Sequence, residues 1–354
     1  MLSSDFTLST FHVPTHIVTD PIDVSSTSGE HQRGSLHRLP DISIISEWPH
    51  GSLVENLAVK HDGHVIVTVY STNEIYEINP YSTKSNRSLL TTLPYGPTGI
   101  AEVDFNHFYV NVGSIGQRKT WSIYCLSLHH GTPSNVSVKK IVDIDSASYL
   151  NGLCVLSYEH GLLLSVDSLL GRIYKINIRT KQVELWYEND LFKARTHDGF
   201  VPGINGIRYC SVDNSLYFTN TDRALILRLK ISSFDSRPTG ELETIIRNLV
   251  CDDFTIDHLG TIYATTHAHN SLIRLTFVQD DEYLREDIAN ITDGLAGATS
   301  CVFGRTYQDR TWADSIINVI NTIAIDRSKI DHIIFILVFK NTKKKSFVHS
   351  VRLF

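Results

Sequence analysis

The chain has 354 residues, of which 42% are hydrophobic and 20% are charged, and its formal net charge is -6. This composition predicts an ordinary soluble protein with a large core, and it excludes a disordered or membrane-spanning chain. The acidic balance and the lack of a basic stripe argue against a nucleic-acid partner, because phosphate binding requires a basic surface.

Residues 1–40 are rich in Ser, Thr, His and Pro and show no helical or strand period, which predicts a loosely ordered N-terminal segment. Their first twenty residues lack the basic start and continuous apolar core of a secretory signal, so a cytoplasmic location is expected. Five cysteines fit that expectation, since Cys154, Cys210 and Cys301 lie in apolar strand patterns typical of buried free thiols.

From residue 41 onward, a pair of apolar strands is repeated about every fifty residues, and each repeat begins with a similar short sequence motif. This pattern is typical of propeller blades. The predicted blade openings lie at Glu55, Gly96, Leu150, Gly203, Cys251 and Ala296. We therefore predict an all-β fold over residues 41–310, a six-bladed β-propeller with four-stranded blades around a central channel. The strand near Ile44 is expected to pair with blade six and close the ring.

Residues 311–354 depart from the repeat and are predicted to be an atypical tail that completes the last blade with one strand and a hairpin. The apolar run at 333–339 is too short to span a bilayer. It is interpreted as an edge strand or as the product of an unusual exon boundary.

Four openings begin with a side chain that offers oxygen ligands: Glu55, Asn151, Asn205 and Asp252. Their spacing assigns them to blades one, three, four and five, and equivalent positions of different blades meet at the axis. Two carboxylates and two amides would form an oxygen-rich site suited to a divalent cation such as calcium. Each residue alone is equally typical of a turn, because Asn-Gly and Asp-Asp are common turn dipeptides.

Four of the repeated motifs resemble the blade starts of the regucalcin/gluconolactonase family. They are Glu55-Asn-Leu-Ala-Val, Asn151-Gly-Leu, Asn205-Gly-Ile and Cys251-Asp-Asp-Phe-Thr-Ile-Asp. The resemblance covers roughly residues 41–310. It implies that the Glu, the two Asn and the Asp hold a metal. It also implies that Asp252 is the general base of a lactone hydrolysis in which the metal polarises the carbonyl.

Three segments of the sequence are more similar to a fungal natural-product branch of this fold. They are Val54-Glu-Asn-Leu-Ala-Val-Lys, Asp252-Asp-Phe-Thr-Ile-Asp and Thr265-Thr-His-Ala-His-Asn. That branch includes hetero-Diels-Alderases, which join an ortho-quinone methide, often derived from a tropolone, to the alkene of a terpene such as humulene. The resemblance implies small-molecule substrates and no obligatory cofactor. Such a reaction requires an apolar funnel and a donor or acid that assists loss of water and polarises the enone oxygen.

Candidate side chains for this chemistry lie at strand ends that would rim one mouth of the channel, where loops carry function. Asp252, His267 and Asn205 are the predicted catalytic residues. Tyr70, Asp167, Asn220 and His269 are the predicted substrate-binding residues. For the histidines and for Tyr70, a surface or packing role is an equally simple interpretation.

Three functions are compatible with the sequence. The first is an intermolecular hetero-Diels-Alder cycloaddition in secondary-metabolite biosynthesis. The second is a metal-dependent lactonase or related hydrolase, and the third is a non-catalytic propeller that binds a ligand or partner. The sequence lacks a Gly-rich phosphate loop, a Gly-x-Ser-x-Gly elbow, a His-Glu-x-x-His motif and a paired Cys-x-x-Cys motif. Nucleotide-driven chemistry, serine hydrolysis and structural zinc are therefore unsupported.

Overall fold

The computed structural model describes residues 41–49, 51–82, 87–129, 133, 135–195, 201–279, 282–290, 292, 295, 297–306, 317–321 and 332–338. All of them belong to one compact unit, Arg38–Phe354. The predicted loosely ordered segment 1–40 lies outside the described residues.

The described strands form six four-stranded antiparallel sheets. Within each sheet, the strands follow one another from the innermost to the outermost position. The first three sheets take their strands in simple chain order. Blade one contains β2 (Val54–Val59), β3 (Val65–Val69), β4 (Glu74–Ile78) and β5 (Arg87–Thr92). Blade two contains β6 (Gly96–Asp104), β7 (His107–Gly113), β8 (Ser122–Leu128) and β9 (Val136–Asp143). Blade three contains β10 (Leu150–Ser157), β11 (Leu162–Asp167), β12 (Arg172–Asn177) and β13 (Gln182–Glu188).

The remaining sheets follow the same plan, except that the last one also takes a strand from the start of the described chain. Blade four contains β14 (Ile204–Cys210), β15 (Ser215–Asn220), β16 (Leu225–Lys230) and β17 (Glu243–Arg247). Blade five contains β18 (Phe254–Ile256), β19 (Ile262–Thr266), β20 (Ser271–Phe277) and β21 (Tyr283–Ala289). Blade six contains β22 (Ala298–Phe303), β23 (Ile317–Asn321), β24 (His332–Val338) and β1 (Asp41–Trp48).

The innermost strands form a closed ring, since β2, β6, β10, β14, β18 and β22 each contact the next and β22 contacts β2. Side-chain hydroxyls on inner strands bond the backbone of the following blade. Thr68 Oγ1 donates to the carbonyl of Thr98 at 3.0 Å, and Thr299 Oγ1 donates to the carbonyl of Val54 at 2.9 Å. The second bond joins blade six to blade one, so the expected all-β propeller with four-stranded blades is confirmed.

Ring closure depends on the two ends of the chain. β1 pairs with β24 in antiparallel register, as expected for the strand near Ile44. β24 also pairs with β23, so it lies inside the sheet and β1 is the outer strand. The interpretation of residues 333–339 as an edge strand is therefore wrong.

Three glycines allow neighbouring blades to approach closely. A Cβ at Gly152 would lie 2.5 Å from the carbonyl oxygen of Asn205, and one at Gly99 would lie 2.3 Å from that of Asn151. At Gly206 it would lie 2.4 Å from Oδ1 of Asp253. The Asn-Gly pairs of the openings therefore lie in strands rather than in turns, and their glycines are required because other atoms fill the space where a Cβ would be.

Apolar side chains fill the spaces between blades and supply most of the favourable burial. The aromatic pair Phe192 and Phe218 is fully buried, with ring centroids 5.0 Å apart. All five cysteines are free and buried, as expected. In the part of the chain that the structure describes, no helix is long and apolar enough to cross a bilayer.

Candidate functional site

The four predicted ligand residues lie where innermost strands begin. Glu55, Asn151 and Asn205 are each the second residue of their strand, and Asp252 lies two residues before β18. The first three side chains are buried, and Asp252 is partly exposed. Because the innermost strands are neighbours around one axis, their first residues are brought to the same end of the channel.

The best-defined contact of this group joins blades four and five. The Nδ2 amide of Asn205 donates to Oδ1 of Asp252 at 2.7 Å and to Oγ1 of Thr221 at 2.9 Å. Burial raises the pKa of the Asp252 carboxyl well above its usual value, and the charges of Glu55 and Asp253 raise it further. The Asn205 hydrogen bond opposes this shift. A carboxyl in such surroundings favours its protonated form.

Glu55 approaches the same group from blade one. Burial raises the pKa of its carboxyl from 4.5 to about 7, and the negative charge of Asp253 contributes to the shift. Glu55 in turn raises the pKa of Asp252. Two carboxyls in such surroundings form a site that favours holding either protons or a cation.

Tyr149 connects the remaining ligand residue to these carboxyls. The Nδ2 amide of Asn151 donates to the Tyr149 hydroxyl oxygen at 3.2 Å. Burial raises the pKa of Tyr149 well above its ordinary value, and the charges of Glu55 and Asp252 act in the same direction. The phenol is therefore held in its neutral form. Hydrogen bonds thus join Asn205 to Asp252 and Asn151 to Tyr149, and charge interactions connect Glu55 with Asp252 and Tyr149. We call these five residues the cluster, and Tyr149 is the member that the sequence analysis missed.

A second polar layer lies next to the cluster along the innermost strands, since Asp253 follows Asp252 and Asn56 follows Glu55. Oδ2 of buried Asp253 accepts hydrogen bonds from Arg208 at 2.7 Å, Ser300 at 2.8 Å and Asn56 at 3.2 Å. These partners come from blades four, six and one, while Asp253 belongs to blade five. We call this layer the floor. Its ion pair and hydrogen bonds therefore join four blades beside the cluster.

Tyr70 lies beside the cluster at the end of β3. Its hydroxyl accepts a hydrogen bond of 3.0 Å from the backbone N–H of Ile115, which joins blade one to blade two. Its ring occupies the space above Gly96, where a Cβ would lie 2.3 Å from a ring carbon. Burial raises the pKa of Tyr70, and the charge of Glu55 acts in the same direction. The predicted substrate contact of Tyr70 stays a prediction.

Asp167 and Asn220 are fully buried and bond the backbone at the ends of β11 and β15. The Asp167 carboxylate accepts backbone N–H groups from Ser148, Tyr149, Leu169 and Leu170. Oδ1 of Asn220 accepts the N–H of Arg223 at 3.0 Å, and its Nδ2 donates to the carbonyl of Leu191 at 2.8 Å. The structure thus uses both side chains to fix turns, and their predicted contact with substrate stays a prediction.

His267 and His269 lie in the turn that joins β19 to β20. His267 is partly exposed and His269 is exposed, and the backbone N–H of His269 donates to the carbonyl of Thr266 at 3.1 Å. β19 runs antiparallel to β18, so this turn lies at the end of blade five where Asp252 is found. The catalytic role of His267 and the binding role of His269 stay predictions.

The donor chemistry of the cluster fits a divalent cation. Glu55 and Asp252 offer carboxylate oxygens, and Asn151 and Asn205 offer amide oxygens, all of the hard type that calcium prefers. Burial and the neighbouring carboxylates raise the pKa of both carboxyls. Protons compete for the same oxygens, so a cation would bind better as these groups ionise.

A second group among the described residues has metal-ligand geometry, namely Asp62, His64 and Glu77. It lies after β2, at the opposite end of that strand from Glu55. The ammonium of buried Lys60 lies 2.9 Å from Asp62 and 2.7 Å from Glu77. Burial acts to lower the pKa of Lys60, but its hydrogen bonds to the two carboxylates outweigh burial and raise it. Lys60 therefore supplies the positive charge of this group.

Comparison with known proteins supports the expected relationship, although no family model matches the chain. The chain is 24% identical over 307 residues to a protein from Phoma sp. named "Putative hetero-Diels-Alderase". The match covers 76% of this chain and 84% of the Phoma protein.

Solved structures with the same fold include two proteins of the regucalcin type. A calcium-binding regucalcin from Agrobacterium tumefaciens has a TM-score of 0.62 at 14% identity, covering 85% of this chain and 94% of its own. A luciferin-regenerating enzyme has a TM-score of 0.61 at 14% identity, covering 84% and 94%. The chain is therefore similar in fold to regucalcin-like propellers and in sequence to the Phoma protein.

Proposed function

We propose that this chain, a regucalcin-like propeller related in sequence to a hetero-Diels-Alderase candidate, is an enzyme that joins a quinone methide to an alkene. The observation that carries the proposal is the match to the Phoma protein, which covers 76% of this chain and 84% of the Phoma protein. The structural neighbours support the fold alone, because they are only 14% identical.

The proposed reaction has two steps that balance. An ortho-hydroxymethyl phenol or tropolone loses water, its exocyclic carbon becoming a methylene and its ring hydroxyl becoming a carbonyl. The heterodiene then adds to an alkene such as that of humulene. One new carbon–carbon bond forms at the methylene and one carbon–oxygen bond forms at the carbonyl oxygen, with no further atom lost.

The carboxyl cluster would serve the first step. Burial and the charge of Glu55 favour a protonated Asp252, which would donate its proton to the departing hydroxyl. The ring hydroxyl proton would return to the Glu55 and Asp252 pair, so the enzyme ends the cycle unchanged. Asn205 would hold the Asp252 carboxyl in place through their 2.7 Å hydrogen bond.

The second step would depend on proximity. Two substrates held in contact at one mouth of the channel react in an effectively unimolecular step. This lowers the activation free energy by up to about 7–11 kcal/mol in favourable cases. The floor of Asp253 and Arg208 would confine both partners to the side of the channel where the cluster lies. His267, His269, Tyr70, Asp167 and Asn220 would form or support the rim around that mouth.

The test combines the purified protein with salicyl alcohol as the quinone-methide precursor and humulene as the alkene, followed by mass spectrometry. The expected adduct has the summed mass of both partners less one water, and it forms faster than with heat-inactivated protein. Addition of EDTA leaves the rate unchanged. A rate equal to that of the inactivated control would contradict the proposal for this substrate class.

A metal-dependent lactonase is the second candidate, favoured by the donor set of the cluster. Glu55, Asn151, Asn205 and Asp252 would hold calcium, which supplies Lewis-acid polarisation of a lactone carbonyl. In the parallel assay with gluconolactone, this candidate requires hydrolysis that EDTA abolishes and calcium restores. Lactone hydrolysis without adduct formation would favour it over cycloaddition.

A further inference from the structure

We propose that Tyr149 is a catalytic residue that donates a hydrogen bond to the carbonyl oxygen of the quinone methide, an inference that rests on the proposed function. Hydrogen bonding to this oxygen lowers the energy of the empty orbital of the heterodiene, so a fixed neutral donor accelerates the cycloaddition itself. No other residue of the described cluster combines a neutral phenolic O–H with this position.

The position of Tyr149 follows from its hydrogen bond to the cluster. Tyr149 directly precedes β10 and lies two residues before Asn151. The phenol oxygen accepts the Asn151 amide at 3.2 Å, so the hydroxyl lies beside Asn151. The equivalent residues of blades one, four and five are Leu53, Gly203 and Val250, none of which carries a polar side chain.

The hydroxyl is oriented by Asn151. Because the Asn151 amide donates to the phenol oxygen at 3.2 Å, the proton of the phenol is directed to an acceptor elsewhere. Glu55 and Asp252 are close enough for their charges to act on Tyr149. A substrate carbonyl oxygen at the cluster would accept the hydrogen bond that the phenol proton donates.

The ring and the backbone of Tyr149 are held rigidly, as a catalytic donor requires. The Asp167 carboxylate accepts the N–H of Tyr149 at 3.2 Å and that of Ser148 at 2.8 Å. The Trp121 ring packs on the Tyr149 ring with centroids 5.9 Å apart, and its indole N–H donates to the carbonyl of Ser148 at 2.9 Å. This arrangement also gives Asp167 a role as a positioning residue for Tyr149.

The test uses tropone, a rigid enone that has a strongly accepting carbonyl oxygen and no hydroxyl with which to chelate a metal. Binding is measured by calorimetry with EDTA present, for the wild type, Tyr149→Phe and the control Tyr174→Phe. Tyr174 is a buried tyrosine of the same blade whose hydroxyl accepts from Ser146 at 3.1 Å, outside the cluster. Loss of one hydrogen bond to a neutral acceptor is expected to weaken tropone binding roughly three- to tenfold in Tyr149→Phe and not in Tyr174→Phe.

The rate assay with salicyl alcohol and humulene gives the second readout. Tyr149→Phe is expected to lower kcat roughly tenfold or more with little change in the KM of humulene, because the alkene does not contact the phenol in this scheme. Equal tropone affinity in wild type and Tyr149→Phe, or no tropone binding by the wild type, would overturn the assignment. If tropone binding depends on Tyr149 but no adduct forms, the result would support Tyr149 as a hydrogen-bond donor and would contradict the proposed function.

Discussion

The amide of Asn205 donates to the carboxyl of Asp252 at 2.7 Å across the boundary between blades four and five. The two residues are almost one full repeat apart in sequence, and the bond forms because equivalent strand starts are neighbours in the ring. Together with Glu55, Asn151 and Tyr149 they form one polar cluster over an ion-paired floor.

Protonation of Glu55 should make the stability of the protein depend on pH. Its pKa is raised from 4.5 to about 7 in the folded state, so folded protein binds more protons than unfolded protein between these values. Its contribution is fully present below pH 4.5 and is lost as pH rises through about 7. At 1.36 kcal/mol per unit, the loss is at most about 3 kcal/mol.

Urea denaturation of wild type and Glu55→Gln at several pH values measures this effect. The wild type should lose more stability than Glu55→Gln between acidic and mildly alkaline pH, because glutamine stays neutral throughout. Glu184→Gln, which changes an exposed carboxylate of blade three, serves as the control and should follow the wild type. Parallel pH profiles for wild type and Glu55→Gln would show that Glu55 titrates normally.

Calcium should stabilise the protein more strongly above pH 7 than below it. Binding to the cluster requires ionised Glu55 and Asp252, whose pKa values are both raised, so protons displace the cation as pH falls. At a calcium concentration of about 100 times Kd the gain would be about 2.7 kcal/mol. Thermal melts with calcium and with EDTA measure it, and Asp252→Asn should remove most of the gain. A calcium effect that survives in Asp252→Asn would place the ion elsewhere.

Removal of the positive charge from the floor should be costly. Arg208→Met leaves buried Asp253 without its cation, and breaking a buried pair in this way costs about 3–5 kcal/mol. The more exposed pair of Arg228 and Glu243 provides the control, since Arg228→Met should cost no more than about 1 kcal/mol.

Chemical denaturation of the single variants and of the double variant Arg208→Met with Asp253→Asn completes the cycle. The double variant should recover a large part of the loss, because no buried charge is then left unpaired. If Arg208→Met alone is as stable as the Arg228→Met control, the ion pair does not hold the floor together.

The glycine of an Asn-Gly opening should not tolerate a methyl group. In Gly152→Ala the new Cβ would lie 2.5 Å from the backbone oxygen of Asn205, which cannot move without separating two blades. We expect a loss of about 1–3 kcal/mol or more, as in other overpacked cores. Gly240→Ala is the matched control, because its new methyl group would meet no atom within 4 Å and its effect should be small. Equal melting temperatures for the two variants would contradict the close packing of the blades.

The repeated openings are sufficient to predict the fold, because strand alternation and turn residues such as Gly63, with a φ of 86°, follow local rules. The same rules make Asn151-Gly and Asn205-Gly equally typical of turns, since the need for glycine arises from atoms of the next blade. Sequence periodicity cannot report a contact of that kind.

Tyr149 and Asp253 escape sequence reasoning for a related reason. Tyr149 precedes the repeated phrase, and no equivalent residue in blades one, four or five is polar, so no pattern marks it. Asp253 directly follows Asp252 in the same motif. Successive residues of a strand point to opposite sides, but the sequence alone does not show which of the two aspartates belongs to the cluster and which to the floor. Asp167 is expected at the rim from its place at a strand end, and only the structure shows its carboxylate bonded to four backbone N–H groups.

The stereochemistry of the adduct tests the central claim most directly. Salicyl alcohol and humulene are both achiral, so an uncatalysed addition gives equal amounts of the two mirror-image adducts. Reaction inside the cluster, with Tyr149 and the floor fixing one face of the heterodiene, should give one enantiomer in excess on chiral chromatography, with or without EDTA. A racemic adduct formed at the background rate would contradict the account.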